Sequence, residues 1–156
     1  MMNKEFLQLA IDTALDNIKS NNGGPFGAVI VKDGVLIAKS PNTVTSSNDP
    51  TAHAEINAIR LACKELKTFD LSGCEIYSSC EPCPMCLSAI YWARISKVYY
   101  AADRFDAKKA GFDDSFIYNE ISLSEKERSI YMENAMHKEG QLPFELWQET
   151  ENKTKY

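Results

Sequence analysis

Two short stretches of the sequence combine residue types that bind metals and transfer protons. The first contains His53 and Glu55, separated by one residue, and the second contains Cys83 and Cys86, separated by two. Zinc binds imidazole nitrogen and thiolate sulfur, and a catalytic zinc site uses three protein ligands and leaves a fourth position for water. His53, Cys83 and Cys86 supply that number of ligands. The sequence therefore predicts one catalytic zinc ion per chain.

The helices predicted around these residues favour metal binding. Pro84 suits the first turn of a helix that runs to about Trp92, and cysteines three residues apart share one face of a helix. The positive end of the helix dipole stabilises thiolates at that position. A second helix is predicted to open at Asp49 and Pro50, which places His53 in its first turn. At an open helix start, the side chain of Glu55 can reach the same site.

The pairing of H-x-E with P-C-x-x-C is the motif of zinc-dependent base deaminases. Zinc lowers the pKa of its bound water toward ~7, so the expected nucleophile is a zinc-bound hydroxide. We expect Glu55 to shuttle a proton from this water to a ring nitrogen and then to the leaving ammonia. The alternative from another class is a non-catalytic, zinc-stabilised binding module. That alternative needs a fourth protein ligand, and the candidates are His137 and Cys80.

The segments that must position the site alternate between helices and strands. Apolar residues at helical spacing predict a first helix from Phe6 to Ile18. Two apolar runs joined at Asp33 and Gly34 predict a hairpin covered on both faces. Further strands are predicted at residues 74–78 and 97–102, a helix from Ser124, and a short helix at residues 143–147. The alternation from residue 50 onward predicts an α/β fold, a three-layer α-β-α sandwich with a mixed central sheet.

The composition sets limits on the class of protein. The chain has 156 residues, of which 44% are hydrophobic and 25% charged, and it has no linker-like segment, so we expect one domain over residues 1–156. No stretch reaches the ~20 apolar residues of a membrane helix, and no signal peptide is predicted, which favours the cytoplasm. Five cysteines, three of them within seven residues, indicate metal binding in a reducing compartment. The net charge of −5 disfavours nucleic acid as a partner and favours a small substrate.

Longer stretches around the motifs resemble the cytidine deaminase superfamily and, within it, the bacterial guanine deaminases. They cover residues 23–28, 47–55, 79–86, 89–94, 110–118 and 155–156. The zinc motif is common to the superfamily, whereas residues 111–118 and the terminal tyrosine point to the guanine branch. The resemblance implies a cytidine deaminase-like fold and hydrolysis of guanine to xanthine and ammonia. A deaminase acting on another base, tRNA adenosine or cytosine, is the alternative with the same zinc site.

The same resemblance implies roles for four residues outside the zinc motif. Phe26 should stack on the base, and Asn42 should hydrogen-bond to its edge. Asp114 should recognise the guanine edge, and Tyr156 should cap the site. It also implies a homodimer in which a C-terminal arm, about residues 132–156, is swapped between subunits. From the residues alone, each of the four has a local alternative: a core strand residue, a turn, a helix cap and a frayed terminus.

Overall fold

A mixed four-stranded sheet organises the larger of two compact units, Met1–Asp114 and Ser115–Tyr156, in the computed structural model, which describes residues 2–156. The strands are β1 (Gly27–Lys32), β2 (Val35–Pro41), β3 (Cys74–Cys80) and β4 (Lys97–Ala102). Their order is β2-β1-β3-β4, with β3 and β4 parallel and the other pairs antiparallel. The predicted hairpin is confirmed, since Asp33 and Gly34 both have the positive φ that a two-residue hairpin turn requires.

Within the described residues 2–156, five helices belong to the first unit and two to the second. The first unit contains α1 (Lys4–Lys19), α2 (Val44–Ser47), α3 (Ala54–Leu66), α4 (Pro84–Trp92) and α5 (Arg104–Lys109). The second contains α6 (Ser115–Ser122), a 3₁₀ turn (Glu125–Glu127) and α7 (His137–Glu149). Among the helices formed by residues 2–156, none combines the length and apolarity needed to cross a membrane.

The core lies on both faces of β1, because its residues from Gly27 to Val31 are all buried. Ala28 and Ile30 pack with buried alanines of α3 on one face. Val29 and Val31 pack with Ala10 of α1 and with Tyr77 of β3 on the other. The sheet therefore lies between helices, and the predicted three-layer α-β-α architecture is confirmed.

The helices expected to begin at Asp49 and at Ser124 differ from the prediction, each for a local reason. The helix expected from Asp49 begins instead at Ala54, because the Asp49 carboxylate accepts hydrogen bonds from the N–H and hydroxyl of Thr51 and forms a turn. The helix expected from Ser124 is a single 3₁₀ turn, although its capping box forms, because the Ser129 N–H is bonded back to Glu120.

The last helix, α7, is longer than predicted and contains Pro143 in its interior. Proline removes one backbone N–H donor, but the turns on either side keep their bonds. Helices α2 and α5 were not predicted from the sequence. The capping box that fixes the start of α5 joins Asp103 and Asp106.

Candidate active site

Two helix starts bring the three predicted zinc ligands together. His53 is the N-cap of α3, one residue before the helix rather than in its first turn as predicted. Cys83 is the N-cap of α4, and Cys86 follows in the first turn, after Pro84. The ligand atoms of His53, Cys83 and Cys86 all lie within 4.8 Å of one another. Residues far apart in sequence thus form one compact donor set.

The distances within this set fit a tetrahedral zinc ion. Nδ1 of His53 lies 3.5 Å from Sγ of Cys83 and 3.5 Å from Sγ of Cys86. Zinc–sulfur and zinc–nitrogen bonds of about 2.3 and 2.0–2.1 Å, at tetrahedral angles, separate sulfur from nitrogen by about 3.5 Å. Among residues 2–156, no other group of histidine, cysteine or carboxylate side chains has metal-binding geometry. The donor set is therefore of the three-ligand, catalytic type.

The electrostatics of the site favour a thiolate at Cys83. Hydrogen bonds from Cys86 and His53 lower the pKa of the Cys83 thiol to about 4. The same contact with Cys83, together with burial, raises the pKa of Cys86. The hydrogen bond to Cys83 raises the pKa of His53. The site already stabilises a thiolate, which is the form that binds zinc.

Glu55 lies against this donor set in a closed environment. Only 5% of its surface is exposed, and its Oε2 is 3.5 Å from Sγ of Cys86. The hydroxyl of Ser78, itself only 2% exposed, donates a hydrogen bond of 3.2 Å to Oε1. Burial raises the pKa of the Glu55 carboxyl. A buried carboxyl group whose pKa is raised is suited to general acid–base chemistry.

Backbone hydrogen bonds hold Phe26 and Asn42 close together at the open end of the β1–β2 hairpin. The Asn42 N–H donates to the Phe26 carbonyl at 3.0 Å. The next residue, Thr43, donates its N–H to the carbonyl of Ala52, which precedes His53. The Phe26 ring lies edge-on to that of Phe112, with 5.0 Å between ring centroids. The Phe26 ring and the Asn42 amide therefore lie close to the segment that leads to the zinc ligand His53.

The other two predicted binding residues lie at the ends of the two units. The pKa of Asp114 is raised by burial and by the negative charge of Cys83, so this carboxylate is within electrostatic reach of the metal ligands. Tyr156 is the last residue of the second unit and is 76% exposed.

Two polar residues that support the site were missed from the sequence. Ser78 lies on β3, and its contact with Glu55 follows from alternation: Ile76, two residues earlier, faces the core beneath α3. Asn57, one turn after His53 on α3, donates its amide hydrogens to Pro41 O, Thr43 Oγ1 and Ala52 O. Asn57 therefore holds the segment that follows β2 against the residue that precedes His53. Its spacing of four residues from His53 was a usable sequence signal.

The remaining cysteines form parts of the core. Cys80 ends β3 and donates to the carbonyl of Asp103 at 3.6 Å, and burial raises its pKa to about 11. Cys63 and Cys74 pack in the cluster beneath α3. Their positions agree with the packing roles expected from the sequence. They give no support to a structural zinc site with four protein ligands.

Comparison with known proteins places the chain in a family. The model of the cytidine and deoxycytidylate deaminase zinc-binding region matches residues 1–102. The guanine deaminase of Bacillus subtilis (strain 168) is 53% identical over 156 residues, 100% of both chains. A tRNA-specific adenosine deaminase of Aquifex aeolicus (strain VF5) is 42% identical over 132 residues, 83% of this chain and 85% of that protein. The X-ray structure of guanine deaminase from Bacillus subtilis has a TM-score of 0.97 at 53% identity, covering 100% of this chain and 99% of that chain.

The chain belongs to the cytidine and deoxycytidylate deaminase family. Its fold is the cytidine deaminase-like fold expected from the sequence, and its cofactor is zinc. It is a zinc-dependent aminohydrolase. The prediction of an enzyme, rather than a non-catalytic zinc module, is therefore confirmed.

Proposed function

We propose that the chain hydrolyses guanine to xanthine and ammonia, with Glu55 as the proton shuttle. The observation that carries this proposal is the buried Glu55 carboxyl beside Cys86, in a chain 53% identical over its full length to a guanine deaminase. His53, Cys83 and Cys86 hold the zinc ion, which when bound supplies a Lewis acid that activates water. The product pair follows from the chemistry: a carbon–oxygen bond forms and the bond from carbon to the amino nitrogen breaks.

Glu55 moves the protons that this exchange requires. It accepts one proton from the attacking water and delivers it to a ring nitrogen. It then takes the second proton from the hydroxyl group added to the carbon and delivers it to the amino group, which leaves as ammonia. Its burial excludes bulk water from the carboxyl group, and Ser78 holds one of its oxygens. Both features keep the carboxyl in place between its two proton transfers.

We assign base recognition to Phe26, Asn42, Asp114 and Tyr156. Phe26 stacks on the plane of the base, and Asn42 bonds to its edge, as expected for recognition of a single base in a pocket. The Asp114 carboxylate accepts from the N1–H of guanine, where adenine carries an acceptor instead. Tyr156 covers the base.

We further propose a homodimer with a swapped C-terminal arm of about residues 132–156. The aromatic rings of Tyr91 and Trp92 on α4 are 76% and 72% exposed, which suits an interface. In the second unit, none of residues 115–156 is buried, although this unit contains large apolar side chains such as Trp147. A partner subunit would cover both surfaces. Sedimentation analysis should give twice the mass of the chain, and a monomer at micromolar concentration would contradict the proposal.

Mixed dimers test whether Tyr156 acts across the interface. A Glu55→Gln chain has an intact arm but an inactive site, and a chain lacking Tyr156 has an intact site but no capping tyrosine. If the arm is swapped, mixing and re-forming the dimers restores activity, because the Glu55→Gln chain caps its partner's site. If Tyr156 caps its own site, the mixture stays as inactive as its components.

We propose a cytoplasmic location and a small-molecule substrate rather than nucleic acid. Thiolate ligands such as Cys83 persist in a reducing compartment. The net charge of −5 disfavours contact with a phosphate backbone.

A substrate panel tests the proposed reaction against its nearest alternative. The adenosine deaminase acting on tRNA is 42% identical to this chain, so tRNA adenosine is the competing substrate. Guanine, adenine, cytosine and a tRNA anticodon stem-loop should be incubated with the zinc-loaded protein, with Glu55→Gln as the matched control. We expect xanthine and ammonia from guanine alone. Inosine in the stem-loop without xanthine from guanine would overturn the assignment.

A further inference from the structure

Asn17 on α1 joins two segments of the site that are distant in sequence. Its side chain is 3% exposed. Nδ2 donates two hydrogen bonds of 2.8 Å, one to the carbonyl of Gly24 and one to the carbonyl of Asn42. Both hydrogens of the amide are therefore used, and each holds a different segment.

The two segments that Asn17 joins lie unusually close together. The Gly24 N–H donates to Oδ1 of Asn42 at 3.3 Å, and the Asn42 N–H donates to the carbonyl of Phe26. A side chain at Gly23 would overlap the carbonyl oxygen of Asn42. The loop before β1 therefore lies directly against the Asn42 carbonyl, to which Asn17 also donates.

This network fixes which end of the Asn42 amide a ligand meets. Oδ1 of Asn42 accepts from the N–H groups of Gly24 and Val44, at 3.3 and 3.2 Å. With its oxygen held by the backbone, the amide presents its NH₂ group, a donor, to a bound molecule. A shift of the Asn42 carbonyl would release this orientation.

Oδ1 of Asn17 is buried without a hydrogen-bond partner among the described residues. A buried acceptor in that state is unfavourable, and an apolar side chain of the same size would avoid it. The two bonds that Nδ2 donates explain why an amide is found there. We propose that Asn17 is a positioning residue that sets Phe26 and Asn42 for base binding. This inference rests on the proposed role of those two residues.

Two substitutions remove the donors and keep the same number of heavy atoms in the side chain. Asn17→Leu removes the donors and the unpartnered acceptor together, and Asn17→Asp replaces the donors with a carboxylate. In both variants we expect KM for guanine to rise by about tenfold, because a tenfold change corresponds to the loss of about one hydrogen bond. The kcat should stay within about twofold, since the zinc ligands and Glu55 are untouched. The zinc content of both variants should match the wild type, whereas the thermal midpoint should fall because the carbonyls of Gly24 and Asn42 lose their donors.

Thr13→Val is the matched control, because Thr13 is a buried polar residue one turn earlier on α1. Its hydroxyl donates only to the carbonyl of Leu9 in the same helix, so KM should not change. An unchanged KM in both Asn17 variants, or a fall in kcat with KM unchanged, would overturn the inference. Failure of the wild type to form xanthine would instead overturn the proposed function.

The unaltered protein offers a readout that does not depend on any variant folding. The two amide protons of the Asn17 side chain should exchange slowly with solvent in nitrogen-edited NMR spectra. They should also shift when xanthine, the product, binds. Rapid exchange, or no shift on saturation with xanthine, would contradict the role of Asn17.

Discussion

Removal of the Ser78 hydroxyl should slow the reaction without weakening substrate binding. Ser78 donates to Oε1 of Glu55, and both side chains are almost fully buried, so water cannot replace the lost donor without rearrangement. In Ser78→Ala, the Glu55 carboxyl keeps its neighbour Cys86 but loses the hydrogen bond that orients one of its oxygens. The proton transfers that we propose for Glu55 would require that orientation. We therefore expect kcat to fall and KM for guanine to stay near its wild-type value.

The size of this effect follows from the geometry. A hydrogen bond to a charged group contributes about 1.5–3 kcal/mol. The distance of 3.2 Å is at the long end for a hydroxyl donor, which favours the lower value. Since about 1.4 kcal/mol corresponds to a tenfold change in rate, kcat should fall by about tenfold.

The assay is continuous measurement of xanthine formation from guanine with protein of known zinc content. Ser79→Ala is the matched control, because the neighbouring hydroxyl accepts from the Gly27 N–H instead of contacting Glu55. Ser78→Thr keeps the hydroxyl and should recover most of the rate. A kcat within twofold of wild type in Ser78→Ala, or a loss equal to that in Ser79→Ala, would refute the positioning role.

Three further changes test other parts of the structure. Gly27→Ala should lower the free energy of unfolding by about 3 kcal/mol in urea titrations. The reason is that the new Cβ would overlap the Ala10 carbonyl oxygen and lie 2.8 Å from the Ala14 nitrogen. Gly140→Ala is the control and should not destabilise the protein, because Gly140 lies in open space. Chelation of zinc should abolish xanthine formation and lower the thermal midpoint, and added zinc should restore both except in Cys83→Ala. Phe26→Ala should raise KM by about tenfold, through loss of about 1–3 kcal/mol of base stacking, with a smaller change in kcat.

Two of the three zinc ligands were predictable because their arrangement is local. Cys83, Pro84 and Cys86 lie within four residues, so helix geometry alone places both sulfurs at one helix start. The apolar run of β1 and the turn at Gly34 were likewise predictable from neighbouring residues alone. Elements of this kind require no knowledge of distant contacts.

Other features could not be predicted, either because two local structures compete for one side chain or because the contacts join residues distant in sequence. The side chain of Asp49 has the chemistry of a helix cap, but a turn with Thr51 uses the same oxygen. Ser78 reaches Glu55 across 23 positions, and the acceptors of Asn17 are 7 and 25 positions away. These contacts form only in the folded chain, where β3 packs beneath α3 and α1 packs against the β1–β2 hairpin.

We propose above that Glu55 transfers protons at a zinc site that deaminates guanine. The most direct test is to measure zinc content and xanthine formation together in the wild type and in Glu55→Gln. We expect about one zinc ion per chain in both proteins, rapid xanthine formation by the wild type, and a rate at least about 10² lower in the variant. A zinc-loaded Glu55→Gln protein that forms xanthine at the wild-type rate would contradict the claim.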